Sequence, residues 1–190
     1  VAAAGWAKRP PDLLSELITL HSLTYMRGGW PCNLDVHRYY PGFLADPTDV
    51  FDALWNHRII LPFAHRDCFA LDKPASVVIL ALHSLRGTSK QSRHAAELEQ
   101  LVRAPLSDIE RAEIAQLAQE TGCNATLESV LPRLGIEATP TPAELASPEL
   151  REWRERISPE AEAYFVWRSA LRVATWSQRP RVAFRALWPT

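Results

Sequence analysis

At 190 residues, with 47% hydrophobic and 23% charged side chains, the chain is long enough to bury a sizeable core and too apolar to be disordered as a whole. Lys and Arg (21) balance Asp and Glu (22) to a net charge of −1, which excludes a bulk electrostatic binder of nucleic acid or anionic membrane. Seven Gly against fifteen Pro argue against a glycine-rich phosphate loop and for elements punctuated by proline.

The opening VAAAGW has no basic stretch followed by an apolar one, so no signal peptide is expected, and no apolar run reaches membrane-spanning length. Cys32, Cys68 and Cys123 lie far apart and form no CxxC, which predicts a reducing, cytoplasmic setting without a disulfide framework. Glu16–Tyr25 mixes polar residues with Leu, Ile, Thr and Tyr, as a half-buried strand does. Arg27-Gly28-Gly29 then signals a hairpin. In the returning strand, period two places Asn33, Asp35 and His37 on one face and Leu34, Val36 and Arg38 on the other.

Asp46 to Asn56 predicts a helix, with Pro47 at its start and an apolar stripe of Val50, Phe51, Leu54 and Trp55. Arg58–Phe63 predicts a short strand that Pro62 confines to an edge or an end, and 68–71 a further strand. Asp72 reads as the cap of a helix that is apolar nearly all round from Val77 to Leu85, and so as the most buried element. From Gln91 onward the pattern is helical. Ser107 and Glu110 form a capping box, Gly122 a stop, and 124–134 a further helix. After a Pro/Thr connector at 136–142 come helices near 143–156, 159–175 and 179–187. The expected fold is therefore α+β, a small mixed or antiparallel sheet followed by a helical half. The division is drawn at 1–72 for the sheet-containing part and 73–190 for the helical part.

Asp35 and His37 share a strand face, where a carboxylate and an imidazole can hold a divalent ion or move a proton. The plainer reading is a solvated hairpin face. His83, inside VVILALHSL, reads first as a core histidine bonded to backbone. The last forty residues hold eight Arg against four Glu, which suits either a partner groove or a docked helix with Arg stems over apolar surface. No RNA-binding signature is present.

LDVHRYYPGF, a helix bearing Trp55, and ILPFAHRDCFALDKPASVVILALHSLRG together resemble the bacterial uncharacterised nucleotidyltransferase family of the polymerase-beta-like superfamily. Asp35-Val36-His37-Arg38 matches its V-D-L/V-H-R/W strand, and Leu71-Asp72-Lys73-Pro74 through His83 matches its following helix. The clear matches span residues 30 to 90. The resemblance implies Mg2+ held by three carboxylates, an NTP substrate and an unknown acceptor hydroxyl. By position Asp35 resembles the third carboxylate and the metal ligand, with His37, Arg38 and His83 as supporting or substrate-binding groups. The Gly-Ser turn and D-x-D pair that supply the other two carboxylates have no counterpart in residues 1–190, and VAAAGW resembles the end of the helix that follows them. The sequence thus predicts a nucleotidyltransferase-like chain, truncated or reduced, that transfers no nucleotide by itself. The alternative is a non-catalytic interaction or regulatory protein that uses a sheet edge and its basic C-terminal helices to bind a protein partner or a second copy. A metal-dependent hydrolase using Asp35, His37 and His83 is the third reading. Nucleic acid and membrane are not expected as partners.

Overall fold

The computed structural model describes residues 2–10, 22–63, 65–86, 93–158, 167–168, 170–172 and 174–187. The architecture is α+β, with two small antiparallel sheets and mostly helices in the C-terminal half. Contacts gather the chain into two compact units, one of residues 1–40 with 160–190 and one of Pro41–Pro159. This division follows packing, whereas the boundary at residue 72 follows element type: every described strand lies before it.

In the first unit, β1 (Ala7–Lys8), β2 (Ser22–Met26) and β3 (Leu34–His37) form a sheet in that order, with β2 in the centre. The predicted strand at 16–25 is met by β2 where it is described; its first part lies outside the described residues. β2 and β3 pair antiparallel with Thr24 opposite Asp35 and Ser22 opposite His37. Ser22, Thr24, Asp35 and His37 therefore share the polar face, and Leu23, Tyr25, Leu34 and Val36 the other. The connecting loop 27–33 is longer than a two-residue turn. It folds back where the Trp30 N–H meets the Arg27 carbonyl at 3.2 Å, with Gly29 at φ 77°. At the other end of the chain, α7 (Arg179–Leu187) buries Val182 in a small apolar cluster with Ala170 and Ala174, against which Trp167 and Leu171 pack. The helix expected at 159–175 falls largely outside the described residues.

The second unit begins with α1 (Pro47–Asn56), started by Asp46, whose carboxylate accepts the Thr48 N–H at 2.8 Å. The hairpin of β4 (Arg58–Phe63) and β5 (Arg66–Leu71) follows, pairing from Arg58 with Leu71 at its base to Phe63 with Arg66 at its tip. α2 (Lys73–Leu85) is capped by Asp72 and packs against α3 (Arg93–Arg103) and α4 (Asp108–Glu120). It buries Pro74, Ala75, Val77, Val78, Ala81, Leu82 and Ser84, more than any other described helix, as its apolar run predicts. Ile114, Leu117 and Ala118 of α4 complete this core with Leu127, Val130, Leu131, Leu150 and Trp153.

Two expectations change here. Residues 124–134 form no α-helix but a run of turns ending in a 3₁₀ helix at Leu131–Leu134. The reason is where the polar groups go. The Asn124 and Ala125 N–H groups point at Oε1 of buried Glu144, at 2.8 and 3.4 Å, and the Thr126 hydroxyl donates to the Gly42 carbonyl. Pro132 has no N–H to offer a helix. The helix expected at 143–156 is two, α5 (Pro142–Ala146) and α6 (Pro148–Ile157), because Ser147 ends the first and its side chain caps the second. Among the described residues no helix is long and apolar enough to cross a membrane.

Candidate functional site

Asp35 and His37 lie where the strand period puts them, on one exposed face of the first unit's sheet. The Thr24 hydroxyl, directly opposite, donates to Asp35 Oδ1 at 2.7 Å. The His37 ring stacks on Tyr40 with centroids 5.1 Å apart. Arg38 follows β3 and is exposed. His83 sits on α2 of the other unit and is half-buried. Asp35 is the only acidic residue of the paired β2–β3 segment. Among the described residues no group of three or more His, Cys, Asp or Glu is placed to hold a metal ion. The resemblance implies three carboxylates for a two-ion centre. Among the described residues, β2 and β3 bring only Asp35 of such a set.

A second His–Asp pair was not singled out by the sequence. His57 follows α1, and its Nδ1 lies 2.7 Å from Asp72 Oδ2. A carboxylate can only accept, so Nδ1 is the donor. The other Asp72 oxygen accepts the Ala75 N–H at 3.0 Å and caps α2, and the Asp72 N–H meets the His57 carbonyl at 2.8 Å. One aspartate thus fastens the hairpin base to the start of the most buried helix. Among the described residues no hydroxyl or thiol bonds to the His57 ring.

The second unit also presents an apolar surface. RIILPF reads as a short strand at an edge or an end, and the hairpin it forms is exposed along most of its length. Ile60 is 62% exposed and its cross-strand partner Phe69 61%. The Phe69 ring meets the edge of Trp55 at 5.2 Å, and Trp55 in turn stacks on Phe51 at 5.8 Å. Phe51 and Trp55 are themselves 59% and 41% exposed. The Arg58 guanidinium lies 4.6 Å over the Trp55 ring and donates to the Trp55 carbonyl at 2.7 Å. Phe51, Trp55, Phe69 and Ile60 are therefore one continuous patch across a helix and two strands. The helical stripe of α1 was legible, but its direction was not: only Val50 of that helix is buried. Elsewhere, a shallow groove of about 440 Å3 runs beside α6, lined by Ser147, Leu150, Arg151, Arg154 and Glu155.

Comparison with protein-family models, with curated proteins and with solved structures finds no match for this chain.

Proposed function

We propose that this chain is a protein-interaction module whose contact surface is the patch of Phe51, Trp55, Ile60 and Phe69. One observation carries the reading: four large apolar side chains from three elements stand exposed side by side, three in ring contact and Ile60 paired across the hairpin with Phe69. The largest contiguous apolar patch on a protein surface is often a functional one, and a patch with charge at its rim has the anatomy of a contact surface. Trp, Phe and Arg are also the residues that interfaces favour. A photo-reactive amino acid placed at Phe69 in producing cells tests this. A defined cross-linked product is expected from that position and none from a control at Glu113, on exposed α4 surface. No product from position 69 would overturn the reading.

The nucleotidyltransferase reading rests on Asp35 and the motif order around it, and on that reading NTP is the substrate and an acceptor hydroxyl the partner. Magnesium would need two further carboxylates brought to Asp35. We expect the chain alone to transfer no label from ATP, GTP, CTP or UTP with Mg2+; turnover abolished by Asp35→Ala would overturn this. A cytoplasmic, reducing location is part of the same proposal, supported by Cys32 and Cys68, which are both exposed and unbridged.

A further inference from the structure

We propose that the occupant of this patch is a second copy of the same chain, docked hairpin to hairpin about a two-fold axis. The proposal rests on the reading of the patch as a contact surface and adds what fills it. Its first support is the arrangement of charge. The register places Arg58, Ile60 and Pro62 of β4 on the same hairpin face as Asp67, Phe69 and Leu71 of β5. Arg58 stands at the base, Asp67 beside the tip, and the Ile60–Phe69 pair lies between them. Neither Arg58 nor Asp67 has an ion-pair partner among the described residues. A two-fold axis crossing the strands lays base over tip. It brings Arg58 of each copy to the end of the other that carries Asp67, with Ile60 and Phe69 packed in the middle. An isologous interface needs this property, a surface complementary to itself.

The second support is area. With about 150–250 Å2 for a fully exposed aromatic, the four apolar side chains leave on the order of 450 Å2 uncovered. A standard interface takes about 800 Å2 from each partner, somewhat over half of it apolar. The patch therefore comes close to the apolar share of a standard-size interface, and Arg58 and Asp67 supply a charged rim. The opposite face, with Ile59, Leu61 and Phe63, carries Arg66 and no acid, so it lacks the self-complementary charge.

Sedimentation velocity on the full chain tests this. Wild type is expected to reach twice the 21.4 kDa chain mass as its concentration rises. Ile60→Glu should weaken self-association about thirtyfold or more, the loss typical of a central apolar anchor. Leu61→Glu, on the opposite face, should leave it unchanged. Arg58→Glu should weaken it, and adding Asp67→Arg should restore it. Ile60 and Leu61 are already exposed, so both variants should fold, and circular dichroism with thermal unfolding verifies each one. A wild-type monomer up to about 100 μM, the weak end of specific association, would overturn the proposal. So would equal loss in Ile60→Glu and Leu61→Glu. If a monomer still cross-links from position 69 to a different protein, the two-fold docking fails and the contact surface stands; if it cross-links to nothing, both fail.

Discussion

Gly42 shows how a single position can hold the second unit together without a side chain. Its φ is 106°, outside the range that other residues adopt readily, and a Cβ there would stand 2.6 Å from Leu82 Cδ2 and 3.0 Å from the Trp153 ring. Leu82 and Trp153 are both buried, so neither can swing aside. Gly42→Ala combines backbone strain with overpacking and should cost about 3 kcal/mol or more, read as a lower urea midpoint. Cys123 is a second case. Burial, offset in part by the Thr121 hydroxyl, pushes its thiol up to about 12. Native protein at pH 8 should therefore react with maleimide at exposed Cys32 and Cys68, and at Cys123 only after unfolding. Because the folded value lies above the unfolded one, the contribution is whole below pH 9. It falls as pH rises from the unfolded value towards about 12. Residue chemistry that acts locally was legible in the sequence: Asp72 and Ser107 were read as caps, and both are. Chemistry that acts at a distance was not. Glu144 accepts N–H groups some twenty positions upstream, and Gly42 is constrained by residues forty and more positions away.

The elements owe their boundaries to a repeated device, a capping Asp, Ser or Thr followed at once or soon after by proline. Asp46-Pro47, Thr141-Pro142 and Ser147-Pro148 each open a helix, and Asp72 does so with Pro74 in the first turn. This accounts for part of the high proline count, since proline suits the first helical turn, where no N–H is needed. At α4 the capping box is complete, with the Ser107 hydroxyl accepting the Glu110 N–H and the Glu110 carboxylate accepting the Ser107 N–H. Ser107→Ala should destabilise the protein by about 1 kcal/mol in urea titration. The same glutamate bonds Lys73 Nζ of α2 at 2.8 Å. That bond, together with the Ser107 N–H, holds its carboxyl below the usual carboxylate range. The contribution of this corner is present above the ordinary carboxylate pKa and is lost as pH falls through the lowered one. Strands, hairpins and capped helices were readable because each is written within a few adjacent residues. Residues 124–134 misread because their helical composition is overridden by bonds to Gly42, Glu144 and Trp153.

At the scale of the molecule, the sequence carries the α+β class and the order of elements, but not their grouping into compact units. Residues 1–40 and 160–190 belong to one unit although the other intervenes, and no local pattern records a pairing across that span. Most of the fully buried large side chains lie in Pro41–Pro159, with Leu82, Ile114, Leu117, Leu127, Leu131 and Leu150 among them. A chain of residues 41–159 should therefore fold alone and unfold cooperatively, measured by circular dichroism across a urea series. A broad, non-cooperative loss of helix would show that this unit needs the other. The candidate site follows the same logic. Asp35 and His37 were legible as a strand-face pair, whereas the apolar patch was not, because it joins one face of a helix to one face of a hairpin and no local pattern records which side of either is left uncovered.

Pro62 gives the exposed hairpin a property that none of its apolar neighbours could. RIILPF is β-prone and carries a single charge, the composition of segments that stack into cross-β fibrils. With no N–H at Pro62, a strand added to the outer edge of β4 finds a gap in the donor row near its end. Proline here acts as a gatekeeper: it leaves the exposed apolar face in place while breaking the edge on which further strands would add. Pro62→Val should shorten the lag of thioflavin-positive aggregation under agitation while leaving the folded circular dichroism spectrum in place.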